Sequence, residues 1–410
     1  MTDAYAPTEP GSDALVEMLR RRLQVAIEAE LAKVPVYLYT YYASTKSLGD
    51  QIGVDDDTAD YSPVGLFAAR VGTKLLSVVT EKLIQVSLLG RILHSAGGSI
   101  NFFRRTPPVF PVRILGIGRR ELVELDLRGV GYEQLRRFAE VELAAGGEDG
   151  HYAQIRRILG SSHFRDIHFR LAQPVPENVD TLAASLHGPF LDAPETSTKL
   201  TELPRIETKT EAQETLELVS ARGQNPLSSR SHYQMFLALL SELEGYEDDG
   251  VLRPWPHRPA PAGRVHGPSA LAKVTSKFPI NPRARTYPRE YWPLVDLCGA
   301  LFQYTLLIAE ANLLVSGAGG RCFFNPELVS VICSMIDELN EVLRVQHEPD
   351  GTCLAPTFEF IERGSRREAY ANLCKLAERV GEQHPELSAT IARIQGTDSM
   401  TRLPDVSACF

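Results

Sequence analysis

The chain has 410 residues, 43% of them hydrophobic and 23% charged, with a formal net charge of -9. That composition suits a globular protein of one large domain or two, and it argues against nonspecific nucleic-acid binding, which needs clustered Lys and Arg to neutralise phosphates. The opening MTDAYAPTEPGSDA has neither a basic n-region nor an apolar h-region, and no run nears the roughly 18 uninterrupted apolar residues of a membrane span; a cytoplasmic protein without a membrane partner is expected.

The first helical pattern runs from about Ser12 to Tyr42, where Leu19, Leu23, Ile27, Glu30, Val34, Tyr37 and Tyr41 follow steps of three and four. Glu30 therefore lies on the buried stripe. Ser12 or Asp13 can cap the start, and Pro35 removes an intrahelical hydrogen bond one turn after Glu30. A polar loop, GDQIGVDDDTADYSP, leads to a second helix that starts at Ser62-Pro63 and stops at Gly97-Gly98. Within it, Lys82 and Gln85 share an apolar line with Leu75, Val78, Leu89 and Ile92.

Residues 99 to 130 read as an irregular connection with a short strand at PVRILGI. A third helical region starts near Tyr132, breaks around AAGGEDG and resumes through HYAQIRRIL, with His151 in line with Ile155 and Ile158 or Leu159. Residues 161 to 205 are mostly loop. Helical pattern returns over Thr208 to Ala221 and Ser228 to Glu244, where His232, Phe236, Leu239 and Leu243 form one stripe. The stretch 247–292 is a Pro-rich connection. An antiparallel hairpin is expected from Leu294–Val315 and Pro326–Gln346, then a last helical pattern over roughly Arg366 to Arg393 and a tail, QGTDSMTRLPDVSACF. Cys298, Cys322, Cys333, Cys353, Cys374 and Cys409 lie without a CxxC pair and read as reduced thiols.

An all-α chain with a Glu on the core stripe of its first long helix suits a dimetal four-helix bundle, in which two helices each supply a Glu and two supply an ExxH pair, because positions i and i+3 share a face. The sequence resembles one such family. AIEAELAKVPVYLY is similar to the AIELExATIPPYLY segment of the ferritin-like proteins related to iminophenyl-pyruvate dimer synthase, of the violacein-pathway type. SVVTEKLIQVSLLGRILHSAGG follows their EEMLHxxLxxNLLxAIGG helix, LRRFAEVE their FxxIE, EDGHYAQI their IGEFYxAI, SRSHYQMFLALL their ELSHYxRFxEI, and DGTCLAPTFEF their DGxTAGPPFE closing motif.

What the resemblance implies differs by position. Glu30 falls on the first-helix ligand and His232 on the His of the last ExxH pair. Lys82 and Gln85 stand where the second helix has Glu and His, with Glu81 beside them but off the ligand line. Ser229 replaces the Glu of ELSH, Ser220 or a neighbour in LVSARGQ replaces another carboxylate, Glu142 matches the Glu of FxxIE, and His151 replaces the Glu of GEFY.

These residues have plainer readings too. Glu30 can be a core carboxylate paired with a cation, His232 a satisfied core or capping residue, and His151 and Glu142 interhelical polar contacts; Lys82 can snorkel. Read together, Lys82 supplies the missing positive charge, with Glu30 or Glu142 as counter-ion. A desolvated Lys82 has a lowered pKa and can serve as base or Schiff-base nucleophile, unless pairing opposes it. No cofactor is expected, or one iron or manganese ion on Glu30 and His232.

The expected fold is an all-α, ferritin-like four-helix bundle over 12–246, with an irregular insertion at 161–205, the 247–292 connection, and a C-terminal helical region, 293–395, packed on the bundle. The resemblance implies an enzyme of specialised metabolism acting on an aromatic or amino-acid-derived intermediate. Lys82, Glu30, His151 and Glu142 would give acid/base or electrostatic help to a nonoxidative condensation, cyclisation or rearrangement, and Tyr37, Tyr41 and Gln85 would line the substrate pocket. The alternatives are a mononuclear iron oxidase and a noncatalytic scaffold for a pathway enzyme; the C-terminal hairpin can cover the bundle or form a homodimer surface. A solvent-open pocket beside Lys82, His151 and His232 would favour the enzyme, and a filled bundle centre the scaffold.

Overall fold

The computed structural model describes residues 12–44, 63–99, 101–103, 110–115, 122–145, 150–169, 206–223, 231–247, 275–314, 326–360, 364–396 and 403–407. The loop between the first two helices, most of the 161–205 insertion, residues 248–274 of the Pro-rich connection, Ser229, Cys322 and Cys409 lie outside these residues.

Two long helices, α1 (Ser12–Ser44) and α2 (Pro63–Ser95), pack along one another. Each has 33 residues and is about 50 Å long at 1.5 Å per residue. Helix α1 runs through Pro35 without ending there. Helix α2 begins on Pro63, whose fixed φ suits a first turn, and stops where Gly97 takes φ 74°. There the Gly97 and Gly98 amides donate to the His94 and Leu93 carbonyls at 2.8 Å each, the paired closure of a Schellman end.

A two-stranded antiparallel hairpin, β1 (Val112–Leu115) with β2 (Leu122–Leu125), extends the single strand expected from PVRILGI. Four shorter helices complete the bundle: α3 (Tyr132–Ala145), α4 (His151–Gly160), α5 (Lys209–Gly223) and α6 (His232–Glu247). Helix α3 packs on α6, α4 on α1 and α5, and α5 on α2. The break between α3 and α4 falls where AAGGEDG was expected to interrupt the pattern.

The C-terminal region contains α7 (Trp292–Leu314), α8 (Pro326–Arg344), α9 (Ala369–Gln383) and α10 (Ser388–Ile394). Helix α7 packs against α8 and α9. One apolar segment around α7, Arg289–Ala311, is long enough to cross a bilayer, but 94% of its window is buried inside the protein. The Tyr42 hydroxyl donates to the Cys333 carbonyl at 3.2 Å, and the buried Glu310 carboxylate accepts the Phe102 and Phe103 amides at 3.1 and 3.2 Å, so this region is tied to the bundle.

Two expectations change. The last helical pattern is broken at His384 (φ -130°, ψ 74°), because the following Pro385 drives its neighbour out of the α region. The tail is docked: Leu403 and Val406 are buried, and the Tyr304 hydroxyl donates to the Pro404 carbonyl at 2.7 Å while accepting the Val406 amide at 3.2 Å. The end of the Pro-rich connection, read as an ordered or semi-ordered segment, is held by the Ser276 amide donating to the Ala43 carbonyl at 2.8 Å and the Asn281 amide to the Leu127 carbonyl at 2.9 Å.

Candidate functional site

Four charged side chains meet in the middle of the bundle. Glu30 and Lys33 come from one turn of α1, Lys82 from α2, and Glu142 from the last turns of α3. Their exposures are 2%, 1%, 0% and 0%. Lys82 Nζ lies 2.9 Å from Glu30 Oε2 and 2.6 Å from Glu142 Oε2. Lys33 Nζ donates to both Glu30 oxygens, at 3.0 and 3.1 Å, and stands 3.6 Å from Glu142 Oε1. Each ammonium therefore bridges both carboxylates.

Neutral donors complete the cluster. The Tyr37 hydroxyl donates to Glu142 Oε1 at 2.6 Å, and the Tyr152 hydroxyl to Glu30 Oε1 at 3.1 Å. Beneath Glu142, Tyr37 meets Phe138 edge-on (4.6 Å between centroids) and stacks on Phe236 (5.8 Å), which fills the neighbouring space with aromatic rings.

His232, the first residue of α6, joins this cluster to a half-buried group. Its Nδ1 is 3.4 Å from Glu142 Oε2 and its Nε2 3.0 Å from Glu81 Oε2. Glu81 was expected off the ligand line; on the wheel it is, yet its side chain reaches across to α6.

The electrostatics follow from low dielectric and close opposite charges. Burial pushes the Glu30 and Glu142 carboxyls up, but Lys33 and Lys82 outweigh it and hold Glu30 below, and Glu142 well below, the usual carboxylate range. Burial pulls the Lys82 ammonium down, and Glu142 and Glu30 outweigh that, so its pKa rises. Lys82 therefore stays protonated, and the free amine that a base or Schiff-base nucleophile needs is not at hand. Burial likewise lowers His232, but Glu81 and Glu142 carry it above its ordinary value against the opposing Lys82 charge. Burial and the Glu142 charge raise the Tyr37 phenol well above its usual value, keeping it a donor.

The structure thus gathers Lys82, Glu30, Glu142, Tyr37 and His232. His151 lies close enough to Lys33 and Glu30 to feel their charges, and Gln85 faces α5. Gln85 is one turn from Lys82 and buried; its Nε2 donates weakly to the Val219 carbonyl at 3.5 Å, and its Oε1 has no hydrogen-bond partner among the described residues. His151 is buried with Nδ1 unpartnered among the described residues, and burial and Lys33 lower its pKa. Tyr41 is not brought to the centre: its ring lies on Tyr42 (5.0 Å), near Asp337 and Cys333 of α8. Ser220, taken as a lost carboxylate, is within 3.4 Å of the exposed Arg156 guanidinium.

Lys33 and Tyr152 escaped the sequence reading. Lys33 carried a signal, an ammonium three residues after Glu30 inside the apolar run LAKVPV, where i and i+3 share a face. Tyr152 carried none that separates it from any core tyrosine.

This donor set does not fit a two-metal centre. A metal ion takes lone pairs, whereas Lys33 and Lys82 present N–H donors and positive charge between the carboxylates. Among the described residues no three His, Cys, Asp or Glu side chains converge at metal-ligand spacing. Glu30 meets the two lysines while His232 meets Glu81 and Glu142; the two are linked through Glu142 and Lys82.

Residues 23–241 match a family model described as Ferritin-like. No curated protein and no solved structure matches the chain.

Proposed function

This chain belongs to the ferritin-like family, and we propose that its bundle centre is a metal-free structural charge cluster and that the protein serves specialised-metabolite biosynthesis as a noncatalytic, cytoplasmic bundle supporting a pathway enzyme or its intermediate. The observation that carries this reading is the saturation and burial of Glu30, Lys33, Lys82 and Glu142. Every carboxylate oxygen has a cation or hydroxyl against it, and no side chain of the four exceeds 2% exposure. A reacting group needs an open valence or lone pair facing substrate; these have neither. The pathway context rests on the motif resemblance alone.

Lys82→Met tests it, with product yield in the native pathway and thermal stability measured together, and with Lys82→Met/Glu142→Gln as a charge-balanced companion. Full product from a folded variant is expected. Loss of product from a variant that keeps the native fold would move the function to this centre.

One observation favours a second reading, a nonoxidative enzyme acting on an aromatic or amino-acid-derived intermediate at the edge of the cluster. Gln85 Oε1 and His151 Nδ1 are buried polar atoms without partners among the described residues, of the kind a bound polar molecule satisfies, and the lowered pKa of His151 suits a base. Under that reading Gln85→Leu and His151→Phe abolish product without unfolding the protein; under the first they leave it unchanged.

A further inference from the structure

We infer that Cys353 and His347 form a peroxide-reactive thiol site, and that oxidation there loosens the clasp joining the C-terminal region to α1. The inference is independent of how the bundle centre is read.

Just after α8, the segment HEPDGTC folds back on itself. Pro349 and Gly351 take the second and fourth places of a β-turn, where the Gly351 amide, at φ 75°, donates to the Glu348 carbonyl at 2.8 Å. The Glu348 amide donates to the Thr352 carbonyl at 2.8 Å and the Leu354 amide to the Gln346 carbonyl at 3.0 Å. Between these bonds His347 and Cys353 stand opposite each other as an antiparallel bridge, the cross-strand position that brings two side chains together. Cys353 Sγ lies 3.7 Å from His347 Nδ1.

That pairing is the arrangement of a thiol with its base. His347 is exposed and Cys353 is 6% exposed, so the oxidant must be as small as hydrogen peroxide. In the tautomer with its proton on Nε2, His347 takes the Sγ proton on Nδ1, and the thiolate attacks one peroxide oxygen. The S–O bond forms as the O–O bond breaks, and the departing hydroxide takes the proton from the imidazolium to leave as water. Sulfur is oxidised by two electrons to a sulfenic acid, and the peroxide is reduced. The other described thiols lack this setting. Cys333, 5% exposed, faces the Asp337 charge, and burial with that charge pushes its thiol up to about 12. Burial also raises Cys298, and Cys374 beside Tyr370.

The hairpin is part of a clasp. The Cys353 amide donates to the Lys277 carbonyl at 2.9 Å, the Lys277 ammonium to the Asp350 carbonyl at 2.8 Å, and the Ser276 amide to the Ala43 carbonyl at 2.8 Å. Residues 276 and 277 thus join the hairpin to the end of α1. The Tyr39 and Tyr287 phenols lie close enough to Cys353 to feel its charge, and the Tyr287 hydroxyl accepts the Ala355 amide at 3.3 Å. A sulfenic oxygen adds volume and polarity among packed groups, which accommodate it only by moving.

The test treats the full chain with hydrogen peroxide at neutral pH and quenches it into denaturant containing dimedone, which traps sulfenic acids. Peptide mass spectrometry then gives the oxidation rate of each cysteine, and hydrogen exchange reads the Ser276 amide. Cys353 is expected to oxidise about tenfold faster than Cys333 or Cys374, or more, in the parent protein. His347→Gln, which keeps a hydrogen-bonding group but no base, is expected to slow Cys353 by about tenfold or more and to leave Cys374 unchanged. Oxidation is expected to speed exchange at Ser276 by about tenfold in the parent and not in Cys353→Ser. Cys353 oxidising no faster than Cys333 in the parent, a comparison that needs no variant to fold, overturns the inference. So does an equal or faster Cys353 rate in folded His347→Gln, or a Ser276 exchange rate indifferent to oxidation.

Discussion

Lys82 Nζ and Glu142 Oε2 stand 2.6 Å apart, and neither side chain is exposed to solvent. Desolvating two ions costs several kcal/mol each, and only close geometry with further hydrogen bonds repays it. Here Glu30, Tyr37 and Lys33 provide those further contacts, so the pair behaves as part of one neutral unit. Breaking it and deleting it should therefore have different consequences.

Lys82→Met is expected to destabilise the protein by about 3–5 kcal/mol, the usual cost of stranding a buried charge. Lys82→Met/Glu142→Gln should cost less than the sum of the single changes, by about 1 kcal/mol or more of coupling. Denaturant unfolding of the four proteins measures it, and additive losses would show that the two side chains do not act together.

How much of this was legible in the sequence depends on which helix one asks about. Glu30 on a buried stripe, Lys82 on an apolar line, Pro63 as a start and Gly97 as a stop are local facts, because periodicity and terminal chemistry act within a turn or two. Which oxygen meets which nitrogen is not local. Glu81 lies off the buried line of its own helix, and only the position of α6 brings His232 within its reach. The resumption of helix at His151 places Tyr152 on Glu30 while His151 feels the charges of Lys33 and Glu30, and no wheel of α4 alone distinguishes the two. The docked tail hides for a similar reason: its apolar residues have no period, and Tyr304, which holds them, is a hundred residues away.

Acid should weaken the fold through Glu30 and Glu142. Their folded pKa values lie below the unfolded ones, so the folded state binds fewer protons, and the stability they contribute is present above about pH 4.3 and lost as pH falls through the folded values. The denaturation midpoint should drop steadily below about pH 4. Glu142→Gln should flatten that slope; an equal slope in parent and variant would refute the assignment.

His232 should act in the opposite direction. Its folded pKa is raised, so its contribution is fully present below the unfolded value of about 6.5 and lost as pH rises through the folded value. The positive end of α6 opposes its protonation, and Glu81 and Glu142 prevail. Proton NMR of the imidazole should show a midpoint above the ordinary histidine value, falling in Glu81→Gln. A midpoint unchanged by Glu81→Gln would mean the Nε2 contact carries no weight in solution.

The tyrosines of α1 should separate by what their hydroxyls meet. Tyr37 donates to a buried carboxylate at 2.6 Å, Tyr39 to the Pro279 carbonyl at 2.6 Å, and Tyr41 lies outside the charge cluster. Bonds to charged groups contribute about 1.5–3 kcal/mol and neutral ones about 0.5–1.5. Tyr37→Phe should thus cost most, Tyr39→Phe less and Tyr41→Phe least, as read from unfolding midpoints. Tyr37→Phe should also raise the pKa of Glu142, because a hydrogen bond to the charged form has gone, and so shift the acid limb toward higher pH. Equal costs for all three would mean that the charge on Glu142 gives the Tyr37 hydroxyl no added strength.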